Sequence, residues 1–318
     1  MHQQDTNPAE EAVLSVLAGI PIETAAKSTG TSTAWLTRAV ERYRAAGRAT
    51  LDAHLTGWHQ MHIQFSHYPT AARVFRAHLL PALGTNSIGT WWFVRKYPCW
   101  RLRVHPAPGA TTQQTAAHLA EALDNTVSSG AIQDWWSSPY EPETVAFGGP
   151  IGMTITHDLF HADSTGILAY LHHSAIGTAG MLDAKATSFL VTAAALRAAG
   201  LEWGEQGDVW GQLEVHRPLP EDTDPEKVTR MVQPLRRLLK LDPDPFVANG
   251  PLAPIQNWVG GVQRGARALA DTARSGRLQL GLRGILARHV LFHWNRMGFT
   301  TQQQAIWSRA AREATLGR

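Results

Sequence analysis

Two histidines four residues apart, His157 and His161 in the run HDLFH, share a face on a helix, the spacing at which a zinc-binding helix presents two imidazoles. Asp158 stands where such a helix carries its glutamate base and is one methylene shorter. No cysteine cluster supplies further ligands, so no metal is expected. A second concentration of chemistry is WWFVRKYPCWRLRVHP, residues 91–106, with three Trp, a Phe and a Tyr among three Arg, a Lys and a His. Flat rings and fixed cations together suit stacking on planar groups and binding of carbonyl or carboxylate oxygens. There is no GxxxxGK[ST] phosphate loop, FGGPIG lacks the spacing of a dinucleotide fingerprint, and no GxSxG elbow occurs. Neither a nucleotide cofactor nor a hydrolase nucleophile is expected.

These residues need elements to hold them. WHQMHIQF (58–65) alternates like a half-buried strand, and TAARVFRAHLLPAL (70–83) is amphipathic at helical spacing. TWWFVRK and CWRLRVH read as two strands around Tyr97-Pro98, which places Arg101, Arg103 and His105 on one face and Leu102 and Val104 on the other. A helix over 111–130 and a strand at AIQDWWSS follow. From residue 150 the chain reads as mostly helical, with Asp163 or Ser164 capping a new helix, and with the Pro-rich stretch 242–254 as the one candidate flexible linker.

Residues 9–47 form a unit of three short helices ending at Gly19, Gly30 and Gly47, a helix-turn-helix pattern. Its third helix offers Thr33, Thr37, Arg38, Arg42 and Arg44 to a groove, too few cations for duplex affinity; nucleic acid is not the expected partner. Peptide holding, or support of the main domain, is the alternative. The whole therefore reads as α+β: a mixed or antiparallel sheet flanked by helices, a trihelical segment (1–50) and a catalytic domain (51–318) with a mostly helical C-terminal half. Hydrophobic residues at 44% of 318 permit a substantial core, and a net charge of +3 fits an acidic partner without demanding one. The single cysteine, Cys99, precludes an intramolecular disulfide. With no apolar run long enough to span a bilayer and no signal peptide at its start, the expected location is the cytoplasm, with no membrane partner.

Four segments in order, WWFVRKYPCWRLRV, YEPETVAFGG, HDLFHADS and HVLFHWNRMG, resemble the thiopeptide-type bacteriocin biosynthesis family, which includes the elimination domain of class I lanthipeptide dehydratases. The resemblance covers roughly residues 55–315 and implies a ribosomally made precursor peptide, with an acidic leader and a thiazole- and dehydroalanine-containing core, as partner. It implies one of two cofactor-free activities. One is elimination of glutamate from glutamylated Ser or Thr. The other is the pyridine synthase reaction, a formal [4+2] aza-cycloaddition of two dehydroalanines followed by loss of water and leader. Elimination domains carry an Arg-Tyr-Gly-Gly where this chain has Ala146-Phe147-Gly148-Gly149, and a His where alignment of Asn295 and Arg296 puts Leu291. Both departures favour the pyridine synthase, while His293, two residues before Asn295, keeps elimination open as the alternative.

Under this resemblance Ser164 and Tyr170 are the first candidates for proton work at the substrate amide, against the reading that Ser164 caps a helix and Tyr170 is an interfacial ring. His293 is the third, as a base near neutral pH, with Asp163 orienting a neighbour. Arg101 and Arg103 are expected to bind peptide carbonyls or carboxylates. Trp91, Trp92, Trp100 and Tyr97 are expected to supply substrate-binding rings, with half of the Trp turned into the core instead.

Overall fold

The structure is a computed structural model that describes residues 8–242, 244–248 and 250–317. The chain opens with α1 (Pro8–Leu17), α2 (Ile22–Thr29) and α3 (Thr33–Thr56), then enters the sheet at β1 (His59–Phe65). Next come α4 (Ala71–Val74) and α5 (Leu80–Leu83) joined by a π-helical turn, β2 (Ile88–Lys96), β3 (Cys99–Pro106), α6 (Thr112–Ser128) and β4 (Ile132–Ser138). The remainder is helical: α7 (Gly149–Ala175), α8 (Ala184–Ala198), α9 (Trp203–His216), α10 (Pro225–Lys240), α11 (Asp244–Ala248), α12 (Gln256–Arg274), α13 (Leu282–Met297) and α14 (Thr301–Leu316).

The four strands lie in the order β2-β3-β1-β4 with every pairing antiparallel, the split β-α-β arrangement repeated around a hairpin. Side chains alternate, so Met61, Ile63, Trp91, Phe93, Trp100, Leu102 and Val104 fall on one face, where they pack with Phe75, Leu79, Leu119 and Leu123. Trp92 and Val94 fall on the other face and join the core of the C-terminal helices. The expected α+β class, with an antiparallel sheet and a helical C-terminal half, is the observed one.

Four local expectations differ from the structure. The third helix does not stop at Gly47 but continues to Thr56, past the boundary set at residue 50. Residues 203–216, without an assigned element in the sequence reading, form α9. The Pro-rich stretch is no free linker, because Leu252 and Ile255 are buried among α7 and α12 residues. Finally, no helix begins at Asp163 or Ser164: α7 runs unbroken through both, since the capping oxygens of these side chains are engaged in tertiary hydrogen bonds.

α7 lies along the free edge of β2 and satisfies that edge with side chains. The Phe93 amide donates to Ser164 Oγ at 3.2 Å, and His161 Nδ1 sits 2.9 Å from the carbonyl and 3.2 Å from the amide of Trp91. A buried strand edge is thereby given hydrogen-bond partners without another strand. Close approach of α12 to the other side of α7 depends on Gly166, where an added Cβ would lie 1.9 Å from Trp258 Cγ. Gly166→Ala is therefore expected to expel the Trp258 ring and lower the unfolding free energy by about 3 kcal/mol or more, read as a reduced urea midpoint; an unchanged midpoint would show that the helices can separate at no cost.

Candidate active site

The centre of the helical half is a carboxylate with no access to water. Asp163, 2% exposed, receives Trp258 Nε1–H and His293 Nδ1–H on Oδ1, both at 2.9 Å, and Arg296 Nη1–H on Oδ2 at 2.7 Å. Burial alone would raise its pKa, but the His293 ring, the Arg296 guanidinium and the donated hydrogen bonds outweigh that and hold the carboxyl below its ordinary range. The donors come from α12 and α13, so one anion ties three helices together.

Asp163 cannot donate, so His293 Nδ1 carries a proton toward it; His293 Nε2 lies 2.7 Å from Ser188 Oγ, which also accepts Trp294 Nε1–H at 3.1 Å. His293 thus has a carboxylate behind it and a hydroxyl in front, an acid-base-hydroxyl arrangement of the kind that supports proton transfer. Ser188 entered through no motif.

Two hollows flank this centre. The first is a small cavity of about 40 Å³ between α7, α8, α12 and α13, apolar except where Asp163, Thr192, His289 and His293 reach it. His289 Nε2 lies 3.3 Å from Thr156 Oγ1, while its Nδ1 is buried without a partner. Burial, with the Arg296 charge, lowers its pKa to about 3 against the opposing pull of Asp163, so the ring is neutral.

The second hollow, of about 30 Å³, lies on the sheet face that carries Arg103. Trp92, Tyr140, Phe147, Phe160 and Phe292 wall it. The Arg103 guanidinium sits 4.1 Å from the Trp92 ring centre and 5.1 Å from that of Tyr140, with Nε and Nη1 buried and unpartnered. Burial lowers its pKa to about 10, and Arg296, held over Phe160 at 4.3 Å, is lowered to about 10 in the same way. Arg296 has Asp163 as its counter-ion, whereas Arg103 has cation-π contact in place of a salt bridge. The two hollows are back to back, because Phe147 and Phe160, which wall the second, pack against the His289 ring of the first.

The other sequence-derived candidates are dispersed. Ser164 is wholly buried at the β2 edge, and Tyr170, 2% exposed, donates its hydroxyl to the Leu182 carbonyl at 3.0 Å. Neither lines either hollow, and they do not converge. Trp91 and Trp100 lie in the core beneath the opposite sheet face, so of the three tryptophans only Trp92 borders a hollow; the even division between core and substrate does not hold. Arg103 is not part of an open cationic stripe but is 8% exposed, with Arg101 half-buried beside it on the same face. Tyr97 sits 82% exposed at the hairpin tip, its ring against Tyr68. His157 and His161 do not converge on a metal: His157 Nε2 pairs with the Tyr140 hydroxyl at 2.8 Å and His161 with β2, and no metal-ligand cluster of three or more such side chains occurs among the described residues.

Residues 58–315 match the family described as lantibiotic biosynthesis dehydratase, C-terminal, and the chain belongs to that family. All four segments that carry the resemblance fall inside the match, whereas α1, α2 and α3 precede it. Among solved structures the chain is similar to the tRNA-dependent lantibiotic dehydratase MibB from Microbispora sp. 107891, with a TM-score of 0.57 and 17% identity, over 82% of this chain and 28% of that one. It is similar also to the pyridine synthase TbtD from thiomuracin biosynthesis, at 0.53 and 13%, over 81% and 97%. A third is TsrL, at 0.50 and 15%, over 80% and 93%. Identities this low show the shared fold, and the chain spans little more than a quarter of the dehydratase. No curated protein matches the sequence. No helix among the described residues is long and apolar enough to cross a membrane.

Two stability predictions follow from the charges. Asp163→Ala strands Arg296 without its anion and is expected to cost about 3–5 kcal/mol in urea unfolding, with much of the loss recovered on adding Arg296→Met; full additivity of the two substitutions would mean the pair is not coupled. His157 and His289, with burial as the main cause, are lowered from 6.5 to about 4 and about 3. Both are neutral when folded and protonated when unfolded in mild acid, so stability is full above pH 6.5 and falls below it, by about 1.4 kcal/mol per pH unit for each ring, until the folded values are reached. His289→Phe should reduce the slope of unfolding free energy against pH between pH 6 and 4 by one such increment.

Proposed function

We propose that the protein is a pyridine synthase acting on a leader-bearing, thiazole-containing precursor peptide. One dehydroalanine supplies two carbons and a second, with its preceding amide as the iminol, supplies a four-atom azadiene. Ring closure, loss of the amide oxygen as water and loss of the leader then give the pyridine. The observation that carries this reading is the hollow around Arg103. Where an elimination domain places an arginine before its glycine pair, this chain has Ala146, and the hollow beside Arg103 is walled by five aromatic rings and Met153, with Glu141 and Glu143 also lining it. A cradle of rings with one unpaired guanidinium suits a planar, acceptor-bearing azole better than a glutamyl carboxylate, which would call for a second cation.

Positioning is the main contribution asked of the protein, because two remote segments of one peptide must meet and orientation alone is worth effective molarities of about 10⁵ M or more. Trp92 and Arg103 are assigned to holding an azole, and Arg101 to a carbonyl or carboxylate nearby. Proton transfer is assigned to His293, backed by Asp163, with the Ser188 hydroxyl as the group that a substrate amide displaces from Nε2. Ser164 is assigned to the strand edge and Tyr170 to the chain at Leu182, so Ser164→Ala and Tyr170→Phe act on stability. Likeness in fold to TbtD over 97% of that chain supports the reading.

The test offers the protein a dehydrated, azole-containing precursor and, separately, a glutamylated one, both read by mass spectrometry. A product lighter by water and the leader, with new near-ultraviolet absorbance, is expected from the first and no free glutamate from the second. Glutamate release without ring formation would replace this reading by elimination, the activity that His293 would otherwise serve.

A further inference from the structure

The two edges of the sheet are treated differently. α7 covers β2, whereas the outer edge of β4 faces an open groove of about 420 Å³ between that strand, α1 and α3. Because the Phe93 amide points away from β3, alternation through the registers turns Trp136 and Ser138 toward β1, and Trp135 and Ser137 outward. Asp134 Oδ1 takes the Trp135 N–H at 2.8 Å; among the described residues nothing bonds the Ser137 N–H or the carbonyls of Trp135 and Ser137. The facing wall is the helical stripe Trp35, Ala39, Tyr43 and Ala46 of α3, in which small residues leave a channel between two half-exposed rings. Trp136 forms the near wall, stacked on His62 and with the Arg42 guanidinium 5.1 Å from its ring centre. Aromatic rings and an arginine at an open groove are the composition of a binding surface. Its charge is one-sided: residues 33–48 carry Arg38, Arg42, Arg44 and Arg48 against Glu41 alone, with Glu10 as the acid on the α1 side.

We propose that an extended, acidic segment of polypeptide docks in this groove as a fifth strand on β4. Another backbone in the β conformation offers donors and acceptors at the spacing of an open edge, and the cations of α3 favour acid side chains on it. Asp134 guards the edge by holding one donor while paired with Arg42 at 2.5 Å, so the incoming strand takes the Trp135 N–H in its place. The helical wall precedes the family match, so the groove is one that this chain adds to the shared fold. Resting on the pyridine synthase reading, the inference assigns the segment to the leader of the precursor. The core is excluded chemically: azole formation consumes amide N–H groups, so a thiazole-bearing stretch lacks the run of donors that strand pairing needs. β4 lies two strands from Arg103, roughly 10 Å across the sheet, so a leader held there delivers the core that follows it toward the face carrying Arg103.

The probe is the leader of the precursor as a fluorescein-labelled peptide, titrated into the full-length protein and followed by fluorescence polarisation. Saturable binding is expected, with hydrogen exchange of residues 132–138 slowed in the complex. Ser137→Pro removes an outward N–H without touching the ladder to β1 and should weaken binding about tenfold or more; Ser137→Ala keeps that N–H and should bind as the wild type does. Trp35→Ala removes one wall and should also weaken binding about tenfold or more. Unchanged affinity in Ser137→Pro at a native urea midpoint, unchanged affinity in Trp35→Ala, or protection confined to other segments would overturn the proposal. So would a dimer of the free protein that Ser137→Pro dissociates, since the edge would then belong to a second copy. Conversion of the precursor by both variants at the wild-type KM would overturn the docking and leave the pyridine synthase standing. Leader binding that both variants lose, with no ring formed by the wild type, would support the docking and remove the wider reading.

Discussion

Asp163 is the constraint around which the helical half is arranged. A carboxylate at zero hydration is tolerable only if its oxygens are filled, and here an indole, an imidazole and a guanidinium from two other helices fill them. Each donor must arrive within hydrogen-bond distance, which restricts the rotation and axial position of α7, α12 and α13 relative to one another. Gly166 makes the arrangement feasible: it stands nearly one turn beyond Asp163 and gives the Trp258 ring room to lie against α7. Apolar packing would hold three helices together, but it would not select one register among several. The directional bonds to a single anion do.

A second constraint comes from the sheet. Alternation sends Trp91 and Trp92, neighbours in sequence, into different cores, and sets Arg103 among the rings of one of them. A guanidinium there makes no salt bridge, although Glu141 and Glu143 line the same hollow, and its Nε and Nη1 lack partners, which costs stability. Ring faces repay part of that electrostatically, and unlike a carboxylate they leave the donors free. A salt bridge would have satisfied Arg103 and closed the site. An unpaired cation between aromatic walls is poised for an acceptor that comes from outside the chain.

Much of the fold was legible because it follows from periodicity. Alternation around Tyr97-Pro98 gave the hairpin, and helical spacing gave α6, α13 and α14. The site was less legible, because its bonds join residues of different elements, at Asp163 about 95 to 133 positions apart. Nothing local to Ser164 shows that the Phe93 amide will claim its hydroxyl, and nothing local to Tyr170 shows the Leu182 carbonyl. Asp163 has the side chain of a helix cap, yet tertiary partners at Trp258, His293 and Arg296 outbid the local one and the helix continues. Arg103 alternates correctly, but whether a face is open or covered depends on α7 and the segment at Tyr140, which the strand itself does not encode.

The clearest case is the comparison of two identical spacings. HDLFH and HVLFH each place histidines one helical turn apart, and only the first looked like a ligand pair. In the folded chain His157 and His161 turn to Tyr140 and β2 as packing groups, while His289 and His293 face one cavity, backed by Asp163. The difference lies in what each helix packs against. α7 is spent along a strand edge that needs donors and acceptors, whereas α13 crosses the bundle, where no backbone group competes for its imidazoles. Spacing therefore tells which side chains share a face, and the neighbour of that face decides whether they become structure or remain available for chemistry.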